Sequence, residues 1–226
     1  MQKIIIIIAF LLMPIFYQQI INQYTKLAIW KIEEDESYFI NTVPLQQHIT
    51  HPHKRLQHLA GRFLLRYLFP SFPYSEIQIA STRKPFLANE AFHFSISHCN
   101  DFAAAIVSTK QRVGIDIEQI DKKVFKIVHK YLNENERLNF DLLSFENEHK
   151  LSNQLKVATL LWSVKESLFK WYGLGNVDFK SMLHLQFQPI SENGSINASI
   201  ELPSNSLPLQ VNYAFFRNLC LSYVVE

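Results

Sequence analysis

The chain has 226 residues, of which 48% are hydrophobic and 19% are charged, proportions ordinary for a folded globular protein that buries a substantial core. Its formal charge of +2 is too small to indicate a nucleic-acid partner. Two cysteines, Cys99 and Cys220, provide neither a disulfide framework nor a metal-ligand cluster, so we expect a reduced, cytoplasmic protein. The five glycines include no phosphate-cradling cluster, which argues against a P-loop enzyme.

An apolar run lies at the start of the chain. Lys3 followed by residues 4–16 has the outline of a secretory signal, but the run is too short for an ordinary transmembrane helix and no small-residue cleavage site follows it. Three interpretations are open: a misassigned start with translation beginning at Met13, a membrane tether, or a cleaved signal. We favour the first, assign residues 1–12 to a misassigned start or a short apolar leader, and expect no membrane partner.

The first half of the chain, residues 13–112, is predicted to contain several strands and one long helix. Short apolar or alternating runs predict strands at 27–32, 77–79, 92–97 and 103–107. An acidic turn is predicted at 33–36. Apolar residues at helical spacing predict a helix at about 50–68, which Pro70 and Pro73 end.

The second half, residues 113–226, begins with a predicted strand at 113–118. Helical spacing predicts one or two helices at 123–140 and another at 153–172, which the glycines after Tyr172 end. Four more strands are predicted at 183–187, 195–202, 209–216 and 219–225. Helices and strands in both halves predict an α+β fold.

Two acidic residues share one face of the strand at 113–118. Alternate side chains of a strand point to opposite faces, so Asp116 and Glu118 lie on the same side with Cα atoms roughly 7 Å apart. Carboxylates that close repel each other unless a cation or a proton lies between them. Magnesium suits this position because it prefers oxygen ligands and is usually held by one or two carboxylates plus substrate phosphates. Gly114, on the same face, leaves room for a group to approach the backbone.

The predicted helix at 153–172 carries a third carboxylate and two lysines. Its apolar stripe is formed by Leu161, Val164, Leu168 and Trp171. Ser163, Glu166 and Lys170 fall on the opposite side, and Lys165 flanks the stripe with its ammonium free to reach a ligand. A divalent ion with adjacent lysines is suited to phosphoryl transfer. The alternative is a solvated Glu–Lys pair on an ordinary amphipathic helix, together with a strand that ends in two solvated acids.

The two segments occur together, first Gly114-Ile115-Asp116-Ile117-Glu118 and then Trp162-Ser163-Val164-Lys165-Glu166-Ser167-Leu168-Phe169-Lys170. With the weaker blocks Arg83-Lys84-Pro85-Phe86 and Phe94-Ser95-Ile96-Ser97-His98, this pattern closely resembles the signature of the 4′-phosphopantetheinyl transferase superfamily. The length resembles the larger, monomeric type that activates surfactin synthetase, rather than the short trimeric holo-acyl-carrier-protein synthase. The resemblance implies a monomer built from two similar α+β halves in a pseudo-twofold arrangement.

The resemblance also implies an activity. A transferase of this family moves the 4′-phosphopantetheine group from coenzyme A to a serine of an apo carrier protein and releases adenosine 3′,5′-bisphosphate. Asp116, Glu118 and Glu166 would hold Mg²⁺ against the pyrophosphate. Lys170 would neutralise charge on the leaving phosphate, with Lys165 contacting phosphate nearby. Glu166 is the candidate base for the serine proton, directly or through a metal-bound water, and these two roles stay open.

Further residues match the family's coenzyme-binding segments. Lys84 and Pro85 resemble the segment near the adenine and phosphates, and Ser97 and His98 resemble the Ser-His pair that contacts the 3′-phosphate. Adjacent residues on a strand point to opposite faces, so Ser97 and His98 are badly placed to act as a nucleophile and base with each other. Either Arg55 or Arg62 would fill the family's cationic position in the first helix, or both line a solvated flank.

The partner implied by the resemblance is an acidic acyl carrier protein or peptidyl carrier domain, in fatty-acid, polyketide or peptide synthesis. The segment just after the signature strand either forms a docking face for this partner, with Phe125 and Val128 as apolar anchors, or is an ordinary solvated flank of an amphipathic helix. Its lysines are Lys122, Lys123, Lys126 and Lys130. Two other functions are considered: a non-catalytic module that binds coenzyme A or carrier protein, and a magnesium-dependent pyrophosphohydrolase. The filled acidic and basic positions of the signature argue against the first.

Overall fold

The computed structural model describes residues 15–44, 49–145 and 148–226. The predictions made for residues 1–12 and for Met13 lie outside the described residues. Among the helices that are described, none is both long and apolar enough to cross a membrane. Cys99 and Cys220 are free thiols, in agreement with a chain that has no disulfide framework.

The first half is built on a four-stranded antiparallel sheet in the order β1-β2-β6-β5. Its strands are β1 (Ile15–Asn22), β2 (Thr25–Lys31), β5 (His93–Cys99) and β6 (Phe102–Ser108). The intervening elements are helices α1 (Glu36–Ile40) and α2 (Pro52–Leu68) and the short hairpin β3 (Ile77–Ile79) and β4 (Pro85–Leu87). Helix α2 packs on the sheet, and residues such as Trp30, Leu64 and Ala105 form an apolar core between them.

Helix α2 is held close to the sheet by a glycine. Pro52 occupies its first turn, and the His51 side chain accepts a hydrogen bond from the backbone N–H of Lys54, which caps the helix start. A Cβ atom on Gly61 would lie 2.6 Å from the Cγ2 atom of Ile96 in β5. The absence of a side chain at Gly61 therefore brings α2 onto β5, the strand that carries Ser97 and His98.

The second half is built on a five-stranded antiparallel sheet in the order β7-β11-β10-β9-β8. Its strands are β7 (Val113–Gln119), β8 (Leu183–Leu185), β9 (Asn193–Glu201), β10 (Ser206–Phe216) and β11 (Leu219–Val225). Its helices are α3 (Lys123–Tyr131), α4 (Glu134–Asn139) and α5 (Glu148–Tyr172). An apolar core that includes Leu161, Val164 and Val211 fills the space between α5 and the sheet.

The two halves meet where β5 approaches β7. A third apolar cluster draws on both sheets and includes Ile29, Ala104, Ile115 and Leu221. The backbone N–H of Ile115 donates to Ser95 Oγ at 3.2 Å, so a side chain rather than a strand ladder bridges the two strands at this point. Residues from β5 and β7 are thereby brought face to face.

Most of the predicted elements are confirmed, including the long helix of each half and the strand at 113–118. The helical region at 123–140 is two helices, and the α+β fold class is confirmed, with a sheet and a long helix in each half. Strand β1 was not predicted, because its first residues continue the apolar run that suggests a leader. The prediction of an acidic turn was wrong in that Glu36 begins helix α1.

Helix α5 lies directly on β7 because Gly114 has no side chain. A Cβ atom at this position would lie 2.1 Å from the carbonyl oxygen of Ser167 and 2.7 Å from the backbone nitrogen of Trp171. Both of these atoms belong to the helix backbone, which cannot move aside locally. The sequence predicted room for a group to approach Gly114, and that group is α5 itself.

We expect Gly114→Ala to lower the free energy of unfolding by about 1–3 kcal/mol, since the added methyl group must push α5 away from β7. Denaturant titration would measure this change. Gly194→Ala is the matched control: it also lies in a strand, but its added Cβ would meet side-chain atoms of Tyr213, the nearest being the hydroxyl oxygen at 3.0 Å, and no backbone atom. Equal destabilisation by the two substitutions would contradict a specific contact between Gly114 and the helix.

Candidate active site

Asp116 lies at the centre of a polar cluster between the two halves. Its side chain is only 4% exposed. Its Oδ1 atom accepts hydrogen bonds from Lys170 Nζ at 2.6 Å and from Ser97 Oγ at 2.8 Å. Lys170 Nζ also donates to Ser97 Oγ at 2.9 Å. The three groups come from β7, α5 and β5, so the cluster forms only when both halves are in place.

The second carboxylate oxygen of Asp116 is available for a further ligand. Asp116 Oδ2 is buried and has no hydrogen-bond partner among the described residues. A buried polar atom without a partner is costly, and a carboxylate oxygen is a preferred ligand of hard cations. The chemistry of this atom therefore fits a divalent cation.

Glu118 and Glu166 are held in an environment that disfavours their charged forms. Burial, followed by the charge of Asp116, raises the pKa of Glu118 to about 7. Burial and Asp116 also raise the pKa of Glu166 to about 7, against the opposing effect of Lys170. Glu118 Oε1 accepts a hydrogen bond from Trp162 Nε1 at 3.0 Å. The three predicted carboxylates thus influence one another electrostatically, as a cation-binding group would.

Lys84 and Pro85 are brought next to Lys170. They line a cavity of about 220 Å³ that also contacts Ile96 and Lys170. The Lys84 ammonium donates to the carbonyl oxygen of Lys170 in the last turn of α5. Burial, together with the charge of Arg112, lowers the pKa of Lys84 to about 8.

His98 and Glu118 line a second cavity, of about 430 Å³. Desolvation and the Lys170 charge lower the pKa of the His98 imidazole. Ser97 and His98 therefore face different parts of the candidate site, since Ser97 donates to Asp116 and His98 lines this cavity. This agrees with the expectation that they do not act as a nucleophile–base pair.

The two candidate arginines differ in burial and in their partners. Arg62 is buried on α2, one helical turn after His58. Burial, followed by the charges of Arg62 and His98, lowers the pKa of His58 to about 4. Arg55 instead forms an ion pair with Glu36 of α1 at 2.7 Å and donates to the Ile49 carbonyl oxygen. The idea that both arginines line a solvated flank was wrong for Arg62.

His58 was missed by the sequence analysis. It lies one helical turn before Arg62, and its Nε2 atom is buried with no hydrogen-bond partner among the described residues. The spacing of four residues between a histidine and an arginine on one helix was the available signal.

Lys165 was predicted to contact phosphate, and the structure does not place it there. Its side chain is 0% exposed, and Nζ donates to Glu136 Oε2 at 2.7 Å and to the carbonyl oxygens of Tyr131 and Phe179 at 2.8 and 2.9 Å. Only the fold reveals Glu136 as its partner, because the two residues are far apart in the sequence.

Two smaller expectations also need correction. Ser163 shares a helix face with Glu166 and Lys170, but it is buried and pairs with Ser222 Oγ at 2.8 Å. On α3, Val128 is buried in the core and Phe125 stacks on Phe145, so Val128 is not a surface anchor. The predicted docking lysines are all exposed: Lys122, Lys123, Lys126 and Lys130.

The family model described as the 4′-phosphopantetheinyl transferase superfamily matches residues 112–223, about half of the chain. This range contains Asp116, Glu118, Glu166 and Lys170. The chain belongs to the 4′-phosphopantetheinyl transferase superfamily.

Curated relatives agree with this membership. A Haemophilus influenzae protein named as a candidate 4′-phosphopantetheinyl transferase is 27% identical over 61% of this chain and 58% of its own length. Enterobactin synthase component D of Escherichia coli O157:H7 is 33% identical over 52% of this chain and 54% of its own length. The same protein of Escherichia coli K12 is 40% identical over 30% of this chain and 32% of its own length. The chain thus spans less than two thirds of the curated relatives that it matches.

The raised carboxylate pKa values predict how stability depends on pH. Because the folded-state pKa of Glu166 lies above its ordinary value of 4.5, its contribution to stability is complete below that value and is lost as the pH rises through about 7. In EDTA at pH 8, we expect the free energy of unfolding of Glu166→Gln to be about 1–3 kcal/mol higher than that of the wild type, because glutamine carries no charge to bury. At pH 4 the two proteins should be equally stable.

The measurement is urea denaturation at several pH values, with Glu134→Gln as the control. Glu134 is an exposed residue of α4, so its substitution should change stability little at any pH. A wild type that stays as stable as Glu166→Gln at pH 8 would show that Glu166 is not crowded by other negative charges.

Proposed function

We propose that this protein transfers the 4′-phosphopantetheine group of coenzyme A to a serine of an apo carrier protein, with release of adenosine 3′,5′-bisphosphate. The observation that carries the proposal is the cluster of Asp116, Glu118, Glu166 and Lys170 where the two halves meet. Lys84, whose ammonium binds the end of α5, adds a second cation beside Lys170. Carboxylates and lysines in one site suit the handling of a pyrophosphate.

Magnesium is the proposed cofactor, held by Asp116, Glu118 and Glu166. The unpartnered Asp116 Oδ2 atom and the raised pKa values of the two glutamates support this assignment. Within the described ranges, no three His, Cys, Asp or Glu side chains are already arranged to hold a metal ion. This is compatible with magnesium, which is usually held by one or two carboxylates plus substrate phosphates. When bound, the ion neutralises charge on the pyrophosphate.

The chain's own residues position the reacting groups. The serine oxygen of the carrier protein forms a bond to the β-phosphorus of coenzyme A, and the bond from this phosphorus to the bridging oxygen breaks. Lys170 neutralises the negative charge that develops on the departing adenosine 3′,5′-bisphosphate. Glu166 is the proposed acceptor of the serine proton, directly or through a water molecule.

The nucleotide end of the coenzyme is proposed to bind around β5 and α2. Lys84 and Pro85 line the cavity beside Lys170, where the adenine and phosphates would lie. His98 and Arg62 supply positive charge or hydrogen bonds for the 3′-phosphate, with Ser97 fixed between Asp116 and Lys170.

The proposed partner is an acyl carrier protein or a peptidyl carrier domain, bound by a monomer in the cytoplasm. The exposed lysines of α3 suit an acidic partner surface, and Lys123 also lines the cavity that contains Glu118.

Intact-mass analysis of an apo carrier protein tests the proposal. With this protein, coenzyme A and Mg²⁺, we expect a mass increase of one phosphopantetheine group, which EDTA should abolish. Lys170→Ala should slow the transfer by about 100- to 1000-fold, as expected when a group that stabilises developing charge is removed. Lys150→Ala, which removes an exposed lysine of the same helix, should keep the wild-type rate.

The other outcomes identify the alternatives. Loss of coenzyme A without modification of the carrier would indicate a pyrophosphohydrolase. Binding without either reaction, by protein shown to be folded, would indicate a non-catalytic module.

Coenzyme binding provides a separate prediction. Arg62→Ala should raise the KM for coenzyme A by about tenfold, since charge-assisted hydrogen bonds contribute about 1.5–3 kcal/mol. Arg55→Ala is the matched control on the same helix and should leave this KM unchanged, because Arg55 pairs with Glu36. A raised KM in Arg55→Ala and an unchanged KM in Arg62→Ala would assign coenzyme binding to Arg55 instead.

A further inference from the structure

Lys165 is a buried cation in the motif that carries Glu166 and Lys170, but it points away from both. A lysine ammonium has three hydrogens to donate, and Lys165 Nζ places them on Glu136 Oε2 and on the carbonyl oxygens of Tyr131 and Phe179. The side chain is 0% exposed, so no part of its charge is left to water. Its contacts therefore hold three segments together: the end of α3, the first turns of α4, and the loop after α5.

The two residues whose carbonyl groups Lys165 holds also provide the rings that enclose Trp162. The Tyr131 ring meets the Trp162 indole edge-to-face, with 5.1 Å between ring centroids. The Phe179 ring stacks on the same indole at 5.7 Å. Tyr131 is itself fixed by a hydrogen bond from its hydroxyl to the Ala158 carbonyl oxygen at 2.9 Å. The orientation of Trp162 thus depends on the backbone positions that Lys165 fixes.

Trp162 transmits this orientation to the candidate metal site. Its Nε1 atom donates to Glu118 Oε1 at 3.0 Å, and both side chains line the cavity that His98 also contacts. This hydrogen bond holds one oxygen of Glu118 and leaves the other for a ligand. Groups that hydrogen-bond to a metal ligand commonly fix its direction, and their removal typically costs about 10- to 100-fold in metal affinity.

A purely structural role would not require this arrangement. Buried ion pairs are often no more stabilising than apolar residues of similar size, so stability alone is weak grounds for a lysine at this position. The Lys165 ammonium contacts both residues that enclose Trp162, and Trp162 in turn contacts Glu118. Lys165 is therefore connected to Glu118 by direct contacts, first with Tyr131 and Phe179 and then through Trp162.

We propose that Lys165 is a positioning residue for Glu118. By fixing the backbone of Tyr131 and Phe179, it holds the Trp162 indole in the orientation that aims the Glu118 carboxylate into the site. The part of this inference that concerns metal binding rests on the proposed function, whereas the connection from Lys165 to Trp162 does not.

The first test observes Trp162 directly and needs no coenzyme, carrier or metal. The indole N–H resonances of the three tryptophans are recorded by NMR, and the one that Trp162→Phe removes is assigned to Trp162. In Lys165→Met combined with Glu136→Gln, which avoids leaving a buried charge unpaired, we expect this resonance to move and its hydrogen to exchange faster with solvent. An unchanged Trp162 resonance in the folded double variant would overturn the proposal.

Lys156→Met is the matched control. Lys156 lies on the same helix, forms an ion pair with Glu192 and contacts the ring of Phe215, and neither partner is one that holds Lys165 or Trp162. This variant should leave the Trp162 resonance in place. If it moves the resonance as much as the double variant does, the effect is a general response of α5 and the proposal fails.

The second test measures Mg²⁺ binding by calorimetry and, in parallel, the transfer reaction. Both the Lys165 double variant and Trp162→Phe should bind Mg²⁺ about 10- to 100-fold more weakly, with the KM for coenzyme A at saturating Mg²⁺ within about twofold of the wild type. Equal changes in both constants, or no change in Mg²⁺ affinity, would overturn the positioning role.

The two proposals fail separately. Wild-type protein that binds Mg²⁺ but transfers nothing would overturn the proposed function, and weaker Mg²⁺ binding by the variants would still support the role of Lys165. If the double variant does not fold, Trp162→Phe still decides whether the indole hydrogen bond supports metal binding. Lys165→Gln, whose amide can still donate to Glu136, then provides the resonance measurement, and an unmoved Trp162 signal in it would overturn the proposal.

Discussion

The contact of Asp116 with Lys170 and Ser97 is the interaction on which the site depends. One buried carboxylate oxygen accepts from an ammonium on α5 and from a hydroxyl on β5, while its own strand, β7, belongs to the sheet of the second half. A charge that is almost fully buried requires such partners, because the free-energy cost of moving an unpaired charge out of water is several kcal/mol or more. The same contacts that neutralise Asp116 therefore fix the positions of α5 and β5 relative to β7.

Two glycines make these contacts geometrically possible. Gly114 allows the backbone of α5 to touch β7, and Gly61 allows α2 to approach β5. Both positions face backbone or branched side chains at distances that leave no room for a methyl group. The spacing between helices and sheets at the site is thus set by the absence of side chains as much as by the polar groups present.

The sequence could predict those features of the site that depend on local periodicity. Asp116 and Glu118 share a strand face and Glu166 and Lys170 share a helix face, and both follow from the periods of regular structure. Lys165 could not be placed this way, because its partners Glu136 and Phe179 come from segments that only the fold brings near. Charged residues on helices are usually exposed, and that tendency fails where a distant carboxylate and two carbonyl groups satisfy the charge.

The same limit explains the errors in the fold. Strand β1 contains apolar residues at its start, and nothing local distinguishes them from a leader; their pairing with β2 decides their structure. His58 gave only a weak signal, since a histidine near an arginine on a helix is ordinary until β5 is known to pack there. In each case the decisive interaction joins residues that are distant along the chain.

The hydrogen bond between Ser97 and Asp116 also has a consequence for folding. It joins Ser97, near the end of β5, to Asp116, in the middle of β7. These strands belong to two different sheets, each of which has its own apolar core. Contacts within each core can form before the sheets dock, whereas Ser97, Asp116 and Lys170 can meet only afterwards. A chain in which only one half has folded therefore holds just a fraction of the candidate site.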